Sequence, residues 1–295
     1  MSPSNALSFY LHIPYCVKRC GYCDFNTYTP SELQIESSLR EISLSYTDLV
    51  LAELKQARAA SDATTIPTIF FGGGTPSLME PADLGRMLSQ LRDDFEFDTD
   101  IEITMEANPD SITRERLEGF LAAGINRLSF GMQSAVPHVL KVLDRTHNPE
   151  NVARSIELAK AVGFEELSVD LIYGTPGESL EDWKATLDAA LALPVTHISA
   201  YALIIETGTK LAAAIKRGEV AAPDDDLMAE KYVMADNRFH EHGLTWYELS
   251  NWSRPGSQAR HNIAYWEGAN WWGAGPGAHS HINGKRWWNV KHPNA

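Results

Sequence analysis

Cysteine is nearly absent from this chain of 295 residues, and the little there is stands crowded together: Cys16, Cys20 and Cys23 are the whole complement. An odd number of thiols in so short a stretch excludes a disulfide framework, which needs pairs spread through a secreted chain, and points to metal or redox chemistry in a reducing compartment. Long apolar runs are missing too. No stretch approaches the roughly 20 residues a membrane-spanning helix needs. The opening "MSPSNALSFYLHIPYC" lacks the basic-then-apolar layout of a signal peptide, so a cytoplasmic protein without stable membrane insertion is expected. Basic residues are outnumbered, 25 Lys and Arg against 39 Asp and Glu, for a formal charge of −14. That balance offers no basic face for a phosphate backbone, and no nucleic-acid partner is expected. Runs such as "PDDDL" (223–227) read as solvated surface.

What is present is a core. The chain is 44% apolar and 22% charged, and its length suits one α/β barrel. Short β-like runs alternate with amphipathic helical stretches: "LSFYLHI" (7–13), "TIFFG" (68–72), "IEITME" (101–106), "RLSFG" (127–131), "ELSVDLIYG" (166–174), "HISAYAL" (197–203) and "LTWYEL" (244–249). Leu84, Met87, Leu88 and Leu91 fall at helical spacing, as do Val152, Ile156, Ala159 and Val162. Gly124 and Gly163 read as C-caps, and Ser179 with Asp182 as a capping box. Repeated strand–helix–strand units predict parallel pairing and a partial (β/α)6-type TIM barrel over residues 1–245. Chemistry in such barrels gathers at the C-terminal strand ends. The cysteines follow the first strand, "GGGTPS" (72–77) follows the second, and Glu106, Gln133 and Asp170 close later ones. Seven of the eight tryptophans lie in 246–295, a distinct closing segment. It stops at "NVKHPNA" without a final element, as the start of a C-terminal extension would.

Cys16, Cys20 and Cys23 make C-x-x-x-C-x-x-C, a loop that can hold three corners of a 4Fe–4S cubane and leave one iron open. A zinc site is the alternative, but its closed tetrahedron would need His12 or Asp24 as fourth ligand. "GGGTPS" carries no Walker lysine, which removes a P-loop reading.

With Tyr22 just before the last cysteine, the motif resembles the radical S-adenosylmethionine (SAM) superfamily. There SAM chelates the open iron, and reduction by the cluster yields a 5′-deoxyadenosyl radical. "YLHIPYC" (10–16), "FGGGTPS" (71–77), "MEANPDS" (105–111), "RLSFGMQS" (127–134), "DRTH" (144–147) and "VDLIYGTPGE" (169–178) are similar to blocks shared by the coproporphyrinogen III oxidase-like branch and the HemW heme chaperone family. That resemblance implies SAM contacts from Tyr10, Tyr22, Gly73, Gly74, Thr75, Glu106, Gln133, Arg145 and Asp170. Taken singly, each polar residue reads as a structural hydrogen bond.

The oxidases carry a further cysteine where this chain has Phe25, and they extend further before the cluster motif. "HNIAYW" (261–266) resembles the H-N-x-x-Y-W motif of the chaperones and makes His261 a candidate heme ligand with Tyr265 and Trp266 beside it. His279, His281 and His292 are alternatives. The resemblance thus implies a heme chaperone with a 4Fe–4S cluster and SAM, delivering heme to respiratory proteins near the membrane, with a homodimer within its range. An oxygen-independent coproporphyrinogen III oxidase is the alternative, and a radical SAM enzyme on another substrate a third. Whether SAM is cleaved or only held stays open.

Overall fold

The computed structural model describes residues 5–33, 39–145 and 148–293, so Thr146 and His147 of the "DRTH" block lie outside the described residues. Six parallel strands run in chain order: β1 (Ser8–Ile13), β2 (Thr65–Gly73), β3 (Glu96–Ala107), β4 (Arg127–Gln133), β5 (Glu166–Tyr173) and β6 (His197–Ala202). Helices cross between them. Helix α1 (Leu39–Ala60) joins β1 to β2, α2 (Pro81–Asp94) joins β2 to β3, and α3 (Arg114–Ala123) joins β3 to β4. Then α4 (Pro137–Val142) and α5 (Pro149–Val162) join β4 to β5, α6 (Leu180–Leu191) joins β5 to β6, and α7 (Lys210–Lys216) and α8 (Asp225–Glu241) follow β6. Among the described residues the sheet does not close on itself. It is the partial α/β barrel expected of the sequence.

Local signals explain the helices. The α2 stripe Leu84, Met87, Leu88 and Leu91 is fully buried, a gain of roughly 1.5–3 kcal/mol for each side chain. Gly124 and Gly163 end α3 and α5 with φ of 112° and 117°, left-handed values that glycine adopts without a Cβ penalty. The capping box opens α6: the Ser179 hydroxyl accepts from the Asp182 N–H, and Asp182 accepts from the Ser179 N–H.

"LTWYEL" departs from expectation. It forms β7 (Thr245–Glu248), which pairs antiparallel with β8 (Asn251–Ser253); β8 in turn pairs antiparallel with β6. Only Leu249 and Ser250 separate β7 from β8, and a connection that short permits a hairpin alone, since a parallel pair needs a crossover of a dozen residues or more. The boundary expected at 245/246 falls inside β7. The tryptophan-rich segment then crosses the molecule. Helix α9 (Arg260–Trp266) leads to β9 (Trp271–Ala274), which pairs parallel with β1 at the other end of the sheet, and β10 (His279–Ile282) and β11 (Lys285–Trp288) add an antiparallel ribbon there.

A buried ion pair braces the loop after β5. Lys231 of α8 and Glu178 are both essentially inaccessible, and the Lys231 Nζ donates to Glu178 Oε2 at 2.7 Å and to its carbonyl at 2.7 Å. The same carboxylate accepts from the Gly174 N–H at 2.9 Å, which ties the "GTPGE" loop to the helix.

Candidate cofactor-binding lumen

Strands β3 to β6 alternate in an unusual sense. Thr104 and Glu106, Arg127 and Ser129, Ser168 and Asp170, His197 and Ser199 all face a central cavity of about 910 Å³. Their neighbours Ile103, Met105, Leu128, Phe130, Val169 and Ile198 are buried on the other side. Period-two alternation thus sets a polar lumen against an apolar outer layer covered by helices. The cysteine loop and "GGGT" stand at the upper, C-terminal rim. At the bottom α9 lies against the N-terminal parts of β2 and β3: Arg260 and His261 donate their backbone N–H groups to Glu102 at 2.9 and 3.0 Å.

At the rim, Cys16, Cys20 and Cys23 all border the cavity and are partly accessible. Their loop is pinned from several sides. The Cys16 N–H donates to the Tyr28 carbonyl at 3.0 Å, Gly21 donates to Leu143 at 3.1 Å, and Leu211 of α7 donates to Gly21 at 2.9 Å. Lys18 pairs with Asp144 at 2.5 Å, and the Asn26 amide donates to Pro276 and Lys291 carbonyls. The Thr75 hydroxyl approaches Cys16 Sγ at 3.7 Å, and Arg145 approaches Cys20 Sγ at 3.4 Å while donating to the Gly131 carbonyl at 2.8 Å. Donors aimed at sulfur are what cluster thiolates use.

Burial pushes the Cys16 thiol up and the Cys23 thiol up to about 11. A single-ion zinc site is poorly served. His12 spends one ring nitrogen on the Tyr10 hydroxyl at 3.0 Å and the other on the Asn26 carbonyl at 2.8 Å, and Asp24 is exposed. The donor set and the open mouth fit a polynuclear cluster instead.

The glycine segment passes close beneath this loop. Gly74 donates to the Ile13 carbonyl at 2.7 Å and Thr75 to the Tyr15 carbonyl at 2.8 Å. A Cβ on Gly74 would stand 2.5 Å from the Tyr15 carbonyl oxygen, so only glycine fits. The Gly73 N–H donates to Glu106 Oε2 at 2.9 Å. Desolvation first, then the Asp170 carboxylate, raises the Glu106 carboxyl to about 8 against the pull of that N–H. Burial raises Asp170 too, although Ser129 donates to both its oxygens at 3.0 Å. Gln133 sits at φ 63° with the Ser134 N–H donating to the Met132 carbonyl at 2.8 Å. This is a γ-turn of the rare positive-φ kind, and it ends β4 at the rim.

The residues expected to act together are therefore neighbours in space. Tyr10, Tyr22, Gly73, Gly74, Thr75, Glu106, Gln133, Arg145, Asp170, His261 and Tyr265 border the same cavity as the cysteines. Trp266 does not; it is 61% exposed on the outside of α9.

A model of the Radical SAM superfamily matches residues 10–190. The heme chaperone HemW of Mycobacterium tuberculosis (strain ATCC 25618 / H37Rv) is 50% identical over 292 residues, covering 99% of this chain and 74% of that protein. The heme chaperone HemW of Bacillus subtilis (strain 168) is 34% identical over 284 residues, 96% of this chain and 73% of that one. This chain belongs to the HemW family of the radical SAM superfamily. Among solved structures, coproporphyrinogen III oxidase (HemN) from Escherichia coli, a radical SAM enzyme, superposes with a TM-score of 0.82 at 24% identity, over 98% of this chain and 67% of that one, which establishes a shared fold.

In this family member the H-N-x-x-Y-W histidine is deeply set. His261 is 1% exposed and stacks on Phe70 with centroids 5.3 Å apart. Its Nδ1 meets the Thr68 hydroxyl at 2.7 Å and its Nε2 the Tyr265 hydroxyl at 2.9 Å. Burial pulls its pKa down to about 3, so the ring is neutral. Thr68 precedes Gly73 by five residues on β2, which places His261 about 16 Å below the rim at the usual strand rise. A second histidine repeats the arrangement. His197, held neutral by burial, lies between the Ser168 and Tyr247 hydroxyls at 2.8 Å each. Arg127, Ser129, His197 and Ser199 were not singled out in the sequence. Their signal is the polar residue at every second position of "RLSFG", "LSVDL" and "HISA".

Proposed function

We propose that this protein is a cytoplasmic heme chaperone: it binds heme and passes it to heme-receiving, respiratory proteins, and it carries a 4Fe–4S cluster and SAM. What supports the reading above all is the near-complete alignment with a heme chaperone at 50% identity. The rim supports the cofactors. Cys16, Cys20 and Cys23 are assigned to the cluster, which supplies a reducing electron when bound. SAM is assigned to the lumen just inside it. Gly73, Gly74 and Thr75 let the ligand approach the backbone, Glu106 and Asp170 accept from ribose hydroxyls, Arg145 faces a carboxylate, and Tyr10, Tyr22 and Gln133 complete the wall.

Phe25, 61% exposed at the rim, stands where the oxidases carry a further cysteine, so coproporphyrinogen III oxidation is not assigned. The test is anaerobic reconstitution followed by iron and sulfide analysis, hemin titration, and transfer of hemin to an apo-respiratory heme protein. About four irons per chain, tight hemin binding and transfer are expected. Formation of vinyl groups from coproporphyrinogen III, without hemin transfer, would overturn the reading.

A further inference from the structure

The ribbon β9–β10–β11 carries a group of side chains that the lumen does not use. Alternation along β10 puts His279 and His281 on one face. The register sets Trp288 opposite His279, and Arg286 and Trp271 opposite His281 from the two neighbouring strands. Trp288 stacks on His279 with centroids 5.7 Å apart and planes 29° apart, and Trp271 lies 4.9 Å from His281 at 33°. Trp271 also meets Tyr265 edge-on at 4.7 Å, so this face continues into the outer end of α9.

The imidazoles here differ from His261, which is buried at the base of the lumen with both ring nitrogens engaged. His281 uses only Nδ1, which lies 2.9 Å from the Ala269 carbonyl. A carbonyl can only accept, so Nδ1 carries the proton. Nε2 is left with its lone pair and with no partner among the described residues. This is how metal-ligating histidines are commonly fixed: one nitrogen donates to a backbone carbonyl and the other is presented to the metal. His279 is exposed. Arg286, also exposed, has no ion-pair partner among the described residues, and its charge, with that of Lys291, adds to burial in lowering the His279 pKa. In a chain of net charge −14, an unpaired guanidinium beside two imidazoles and a 63% exposed indole, Trp288, selects a flat apolar molecule with an anionic edge.

We propose that this ribbon face is the heme-docking surface, with His281 Nε2 as axial ligand to the iron, Trp288 and His279 against the macrocycle, and Arg286 receiving a propionate. The proposal rests on the heme-chaperone reading and moves the iron ligand from the buried motif histidine to the accessible ribbon. Both belong to one aromatic run, His261–Tyr265–Trp271–His281, in which each ring contact is 4.7–4.9 Å. On this view the motif shapes the wall behind the docking face.

The test titrates the full chain with hemin and, separately, with metal-free protoporphyrin IX, which has no iron to ligate. His281→Ala is expected to lose the Soret shift of histidine ligation and at least tenfold in hemin affinity. It should bind protoporphyrin IX within about twofold of the unsubstituted chain, and added imidazole should restore the ligated spectrum. His281→Asn, which keeps a donor for the Ala269 carbonyl, should behave the same with the ribbon intact by circular dichroism. Arg286→Glu should weaken both porphyrins, and His261→Ala should leave the hemin spectrum unchanged. Wild-type Soret position and affinity in both His281 variants would overturn the site. Failure of the unsubstituted chain to bind hemin would instead overturn the chaperone reading, and the site with it.

Discussion

The Tyr265 hydroxyl stands 2.9 Å from His261 Nε2 and occupies the ring position through which that histidine would have to reach an iron. The two are one helical turn apart on α9, the i, i+4 spacing that brings side chains together. Because burial alone holds the His261 pKa near 3, the neutral ring does not depend on the hydroxyl. Tyr265→Phe should therefore cost about 1 kcal/mol of stability in a urea melt, the usual net worth of such a hydrogen bond, and leave the hemin spectrum as it was. A gain in hemin affinity would instead identify His261 Nε2 as a ligand the hydroxyl had been blocking.

Glu106 makes stability depend on pH with a definite sign. Its carboxyl titrates near 8 in the fold against 4.5 ordinarily, so the folded state binds the extra proton and stability falls as pH rises between those values. Burial lowers the pKa of His197 and His261, which oppose this only in the acid range where their unfolded forms are charged. The clean window is pH 7 to 8. There the apo-protein should lose stability at up to about 1.4 kcal/mol per pH unit, and Glu106→Gln should flatten the slope. Urea midpoints at pH 7.0, 7.5 and 8.0 decide it; parallel slopes for the two proteins would place the Glu106 carboxyl at its ordinary value.

The order of the barrel strands and the cysteine cluster could be read from the residues because both rest on local signals: apolar runs at strand length, caps at Gly124, Gly163 and Ser179, and three thiols at a fixed spacing. Three things could not. The polar lumen was hidden because the apolar residues of "RLSFG" and "HISA" were enough to mark both as strands, and only the period-two phase of the residues between them reveals Ser129 and Ser199. The antiparallel turn of β7 depended on the two-residue gap before β8 rather than on strand propensity. The depth of His261 is non-local: it is set by Thr68 and Phe70, nearly two hundred positions earlier.

Gly74 is where the cluster loop and the glycine segment constrain each other. An added methyl would meet two backbone carbonyls, Tyr15 at 2.5 Å and Ile13 at 2.9 Å, and neither can move without shifting the stem of the cysteine loop. Gly74→Ala should cost about 1–3 kcal/mol, as overpacking does, and cut the iron retained after reconstitution by at least half. Gly85→Ala is the control. Its methyl would meet only Ala123 at 3.7 Å, inside α2, where alanine is preferred over glycine by about 1 kcal/mol. It should stabilise the fold and leave iron content unchanged; an equal loss of iron in both variants would sink the steric account.

Lys231 and Glu178 offer the largest single effect. Their contact is fully enclosed, so removing the ammonium strands a carboxylate that burial already holds above its ordinary pKa. Lys231→Met should cost about 3–5 kcal/mol near neutral pH, because the desolvation penalty remains when the attraction is gone. The deficit should shrink at pH 5, since Glu178 can then escape by taking a proton. Lys231→Met with Glu178→Gln should recover most of the loss: the amide oxygen still accepts from the Gly174 N–H, and no charge is left to bury. Urea melts of the single and double variants at pH 5 and 8 measure all of this. A deficit of equal size at both pH values would mean that Lys231 acts through packing along its four methylenes rather than through its charge.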